Sequence, residues 1–137
     1  MQINSYLFFN GRCEEAFKFY AEVLGGEIEM MMTHEGTPAQ DQVSPEWCGK
    51  IMHARMRIGD QLLMASDAPP ERSPGRMQGF SVNVGVSEPA EAERIFHALA
   101  EGGEVRMPIG QTFWALRFGM CVDRFGIHWM VSLPTPV

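Results

Sequence analysis

The side chains able to do chemistry in this chain fall on two stretches with the alternation of β-strands. Between Lys50 and Ile58, a period of two puts Ile51, His53, Arg55 and Arg57 on one face and Met52, Ala54, Met56 and Ile58 on the other. Between Ile127 and Leu133, His128, Met130 and Ser132 share one face, opposite Ile127, Trp129, Val131 and Leu133. An imidazole in such a place can act as a general base, and Arg55, Arg57 and Arg117 can hold a carboxylate or phosphate. A plainer reading stands beside each. A strand histidine is often a hydrogen-bonded structural residue, and the arginines can form rim salt bridges with Asp60, Asp67 or Asp123. Met64 and Met130 are soft donors suited to Cu(I), but a chain with 11 methionines also uses them as flexible filler of apolar space. Cys48 and Trp47 fall in a loop where no base to activate a thiol is identifiable, and Cys121, beside Met120, belongs to a strand core.

The elements that position these residues repeat once along the chain. Ile3 to Phe9 reads as a strand, with Asn10 as the N-cap of a helix whose apolar stripe is Cys13, Ala16, Phe17, Tyr20, Val23 and Leu24. Gly25-Gly26 closes that helix, and Glu27 to Met32 is a short strand. The stretch 33–48 is too long for a tight connection and reads as a mobile surface loop or as a lid that Trp47 closes. Lys50 to Ile58 and Gln61 to Ser66 then form a hairpin about Gly59-Asp60, with Leu62 and Met64 on one face of the second strand and Leu63 and Ala65 on the other.

After a proline-rich connector at 67–78 the order starts again. Phe80 to Val86 is a strand, Ser87 an N-cap with Pro89 in the first turn, and Ala92, Ile95, Phe96 and Leu99 an apolar helix stripe. Gly102-Gly103-Glu104 matches Gly25-Gly26-Glu27, and a last hairpin, Phe113 to Val122 and Ile127 to Leu133, turns through Asp123-Arg124-Phe125-Gly126. Two copies of a βαβββ unit, 1–66 and 79–137, account for this order within a single domain of 137 residues.

Composition narrows the function classes. The net charge of -6, with no basic cluster interleaved with aromatics, disfavours a nucleic-acid partner. No apolar run is long enough for a membrane helix, and three cysteines without CxxC spacing suit free thiols; a soluble, cytoplasmic protein is expected. The paired glycines follow helices rather than strands, so they read as caps and not as a turn cradling a nucleotide-like cofactor.

A tandem βαβββ chain opening YLFFNGRCEEAFKFYAEVLGGE, with Phe19-Tyr20 before Leu24-Gly25, and closing FWALRFGMCVDRFGIHWMVSL resembles the vicinal oxygen chelate superfamily, which includes glyoxalase I and the bleomycin-resistance proteins, and within it the PhnB-like branch. The resemblance implies an α+β fold in which the two modules form a curved, cup-like mixed sheet with helices outside and substrate in the cup. It also implies four metal-ligand positions, which fall here at Ser5, Met64, Ser81 and Met130, the last from reading DRFGIHWM against the family's DxxGNxxE. None is a carboxylate or imidazole, so no divalent metal and no other cofactor is expected. Members of the branch have been labelled methyltransferases, which no motif in this chain supports.

The expected function is therefore binding of a small organic molecule in an apolar cup lined by Met64, Met130, Trp114 and Phe118, with Arg117, His53 and His128 at its edge. The alternative is a lyase- or isomerase-type enzyme of the same superfamily using His53 or His128 as base. A homodimer is expected, because the half-sheets of such folds have edges that a second chain usually covers.

Overall fold

The computed structural model describes residues 1–69 and 77–136. Its elements are β1 (Ser5–Phe9), α1 (Cys13–Leu24), β2 (Glu27–Thr33), β3 (Ile51–Ile58), β4 (Gln61–Asp67), β5 (Val82–Gly85), α2 (Pro89–Ala100), β6 (Glu104–Gly110), β7 (Ala115–Val122) and β8 (His128–Pro134). The chain divides into two compact units, Met1–Gly75 and Arg76–Val137. Each unit carries one helix and one mixed four-stranded sheet, ordered β1-β4-β3-β2 in the first and β5-β8-β7-β6 in the second. The first and last strands of each unit pair in parallel and the other pairs are antiparallel, so the βαβββ order appears twice. Of the expected connector, 70–76 lies outside the described residues.

In the first unit the stripe Cys13, Ala16, Phe17, Tyr20 and Val23 is buried against Leu7, Phe9, Ala54, Met56, Leu63 and Ala65. The rings of Phe9, Phe17 and Tyr20 pack within 6.5 Å of one another, and burying each large apolar side chain contributes roughly 1.5–3 kcal/mol. In the second unit Ala92, Ile95, Phe96 and Leu99 meet Cys121, Trp129, Val131 and Leu133 in the same way. One face of each sheet is thus spent on its helix.

Asn10 does not cap α1. Arg12 stands at the N-cap position without a side-chain cap bond, and the orphan N–H groups of Gly11 and Cys13 both donate to Asp67 Oδ1, at 3.0 Å. Asp67, read from sequence as the first residue of the connector, ends β4, is buried, and also accepts the Ile51 N–H on Oδ2 at 2.9 Å. One carboxylate therefore ties together the start of α1, the start of β3 and the end of β4. Ser87 is likewise not the cap of α2; Glu88 holds that position, without a side-chain bond, ahead of Pro89.

The glycine pairs are helix terminators. Gly25 is left-handed (φ 68) with its N–H on Ala21 O, and a Cβ at Gly103 would overlap the Val122 carbonyl oxygen. Phe113 and Trp114 stay outside β7, because Thr112 Oγ1 accepts the N–H groups of Trp114 and Ala115 and folds a turn there. Ile127 joins the final turn rather than β8, since its N–H goes to Asp123 Oδ1 and its carbonyl accepts the Asp123 N–H. Buried Asp123 also accepts from Phe125 N–H and from Trp129 Nε1, the latter at 2.8 Å, so the turn is bolted to the core. Among the described residues no helix is long and apolar enough to cross a membrane.

Candidate functional site

Strand alternation leaves each sheet a second face, turned away from its own helix. In the first unit the cross-strand register sets Tyr6 beside Met64, Met64 beside Arg55, and Arg55 beside Met30, one row across all four strands. Ser5 pairs instead with Leu63, on the side of the buried strand residues, so the first-strand position on this face is Tyr6, one residue from the one read by resemblance. Tyr6 Oη lies 3.1 Å from His53 Nδ1, the two rings stack at 5.7 Å, and Phe8 adds a third ring 5.1 Å from Tyr6. His53 is therefore a partnered imidazole on an aromatic, half-exposed surface.

Arg55 and Arg57 do not pair with Asp60, Asp67 or Asp123. A register shift between Ile28 and Met30 turns Glu29 onto their face, where its carboxylate accepts a hydrogen bond from Arg57 Nε at 2.8 Å and forms an ion pair with Arg55, whose Nε is 3.2 Å away. The Arg57 hydrogen bond, with both positive charges behind it, holds the Glu29 carboxyl below its ordinary range against the opposing effect of desolvation, and Glu29 in turn raises Arg57. Asp67 and Asp123 are occupied inward, on backbone donors and, for Asp123, also on the Trp129 indole. His34, not singled out from sequence, is buried with Nδ1 3.1 Å from Lys50 O, and fastens the 33–48 stretch to the start of β3. That stretch holds two short 3-10 turns, Pro38–Gln42 and Pro45–Trp47.

In the second unit the matching row is Asn83, Met130, Met120 and Met107. Asn83 takes the place beside Met130; Ser81, the position read by resemblance, precedes β5. Ser132 donates to Asn83 Oδ1 at 3.0 Å and pairs across the ladder with Phe118, whose ring lies 5.5 Å from Trp114. His128, beside Val122, is on the same face as Met130. Arg117 is not: it pairs with Leu133 on the helix side, and its Nε meets Glu93 of α2 at 3.1 Å. The structure thus gathers Met130, Phe118, Trp114 and His128 on one open face and Met64 and His53 on another, and leaves Arg117 with its helix.

The two core thiols are not nucleophiles at neutral pH. Burial, with Asp67 and Glu14 adding, pushes Cys13 up to about 12; burial and then Asp123 push Cys121 up to about 11. Among the described residues no three His, Cys, Asp or Glu side chains group together as metal ligands.

The chain matches, over residues 1–132, the protein family described as 3-demethylubiquinone-9 3-methyltransferase. It is 33% identical to Protein YjdN of Escherichia coli, covering 97% of this chain and 95% of that protein. Among solved structures it is similar to protein PA1353 from Pseudomonas aeruginosa, at 48% identity, 99% coverage of both chains and a TM-score of 0.89. It also resembles a putative 3-demethylubiquinone-9 3-methyltransferase, PhnB protein, from Bacillus cereus, at 26% identity, 97% and 99% coverage and a TM-score of 0.82.

Proposed function

The chain belongs to this PhnB-like family, within the glyoxalase fold class, and from that premise we propose that it binds a small organic molecule on the apolar open faces of its sheets without a divalent metal. One observation carries the reading. The family-implied ligand rows hold a phenol and a thioether in the first unit, Tyr6 and Met64, and an amide and a thioether in the second, Asn83 and Met130. Neutral oxygen and thioether donors are a poor set for Mg²⁺, Mn²⁺, Zn²⁺ or Ni²⁺, whereas rings and thioethers are good contacts for an apolar ligand. Tyr6, Phe8, Trp114, Phe118 and the methionines supply the apolar surface, and His53 and His128 the polar points. The methyltransferase description is not carried over, because the glycine pairs serve helix termini.

Thermal-shift screening of a metabolite library tests the proposal. A ligand that raises the melting temperature progressively as its concentration rises supports it, provided Met130→Lys or Tyr6→Ala weakens the shift; a shift indifferent to both overturns the placement. The second reading, an enzyme of the lyase or isomerase kind, has the Tyr6–His53 hydrogen bond in its favour, since such a bond fixes the tautomer of a general base. It requires a rate that titrates with an imidazole and disappears in His53→Ala. The proposal also has the protein cytoplasmic and homodimeric, with a second copy covering sheet edges such as β2, where Met32 is 38% exposed. Sedimentation at several concentrations decides the oligomeric state.

A further inference from the structure

Met107, Met120 and Met130 stand side by side on three adjacent strands, β6, β7 and β8, in one unbroken cross-strand row. Directly opposed residues have Cβ atoms about 4.5–5.5 Å apart, which leaves three flexible thioether arms free to converge on one point above the sheet. β6 is bent to achieve this. Its register shifts on both sides of Met107, between Val105 and Met107 and between Met107 and Gly110, and a bulge re-aims a side chain.

Filling apolar space does not account for the row. Among the described residues of the second unit the buried apolar side chains are Ala92, Ile95, Phe96, Leu99, Ala115, Cys121, Ile127, Trp129, Val131 and Leu133, with no methionine among them, while Met107 is 38% exposed and its two neighbours are half-buried. Methionine as filler looks like Met56 of the first unit, which is fully buried. The first unit also supplies a control: the equivalent row has Arg55 where the second has Met120, and a guanidinium in the middle of the row repels a cation.

We propose that Met107, Met120 and Met130 form a binding site for a soft monovalent cation of the Cu(I) class. Thioethers are neutral, polarizable donors that favour Cu(I) over the divalent ions, so the donor set that fails the family's usual metals suits this one. Asn83 Oδ1, at the end of the row beside Met130, accepts a hydrogen bond from Ser132. The site needs no other residue, and it shares Met130 with the proposed organic-ligand surface, so the two occupants would compete there.

The test uses the full chain as Cys48→Ser, which removes the partly exposed thiol, a stronger Cu(I) ligand; Cys13 and Cys121 are buried. The protein is titrated anaerobically with Cu(I) against a chromophoric chelator and separately with Ag(I), while the methionine methyl resonances are followed by NMR. The expected result is one equivalent bound, with the Met107, Met120 and Met130 methyls moving together and those of Met30 and Met64 still. Met120→Leu, nearly volume-conserving, and Met107→Leu, on the exposed edge, should each weaken binding by at least about the 10- to 100-fold that losing even a supporting group costs a metal site. Retained affinity in both folded variants, methyl shifts spread over the other methionines, or no binding at all would each overturn the assignment.

Discussion

Replacing Asp67 by Ala should unfold the first unit at a far lower denaturant concentration than wild type. Its carboxylate is buried and accepts three backbone N–H groups, from Gly11, Cys13 and Ile51, at 3.0, 3.0 and 2.9 Å. Each buried donor left without a partner costs about 1–3 kcal/mol; with some relaxation toward water, the three together should cost about 3–5 kcal/mol. Asp67→Asn discriminates hydrogen bonding from charge. Its amide oxygen can still accept from Gly11 and Cys13, but its NH₂ then faces the Ile51 N–H, donor against donor, so the loss should be about 2–3 kcal/mol. Urea titration followed by the amide NMR signals of α1, with the slope m compared between variants, reads these values. A loss under about 0.5 kcal/mol for Asp67→Ala would refute the inference that this side chain stands in for the missing N-cap of α1.

Three further outcomes follow from the same structure. The thiols of Cys13 and Cys121 have folded pKa values raised to about 12 and about 11, so the folded chain keeps protons that the unfolded chain loses; the stability this contributes is full below about 9 and declines as pH rises towards 12. Cys13→Ala and Cys121→Ala should flatten that alkaline decline in melting temperature, and iodoacetamide at neutral pH should label Cys48 in the native protein and all three thiols only in urea. Glu29 titrates below its ordinary value because of Arg57 and Arg55, so its contribution is present above the unfolded pKa and lost as pH falls through the folded one; Glu29→Gln should remove an acid-side dependence that salt also weakens. Met130→Glu alone should not retain a stoichiometric divalent ion after dialysis, since one carboxylate beside the amide of Asn83 and the thioether of Met120 does not make a chelate; one equivalent of Zn²⁺ or Ni²⁺ by elemental analysis would count against the non-metal reading.

What was legible in the sequence is what periodicity and glycine encode. The helix stripes, the glycine terminators and the alternation of the last strand, with Trp129, Val131 and Leu133 buried and His128, Met130 and Ser132 on the other side, could all be read because a helix or strand repeats its pattern over several residues. The site rows could not be. Which residues stand side by side depends on register, and the register shifts at Ile28/Met30, Val105/Met107 and Ala115/Arg117 leave no trace in composition. The shift in β2 gave Glu29 to Arg55 and Arg57, the shift in β6 carried Met107 beside Met120, and the one in β7 coincides with Arg117 meeting Glu93 of α2. Asp67 was hidden for a related reason: its three partners are 16 to 56 residues away in the chain, so a carboxylate next to prolines looked like the start of a connector. The two units therefore share an outline written in their sequence, while the side chains on their open faces differ in type and, on β2 and β6, in register. One central row position holds an arginine clamped to a glutamate, and its counterpart holds a thioether between two others.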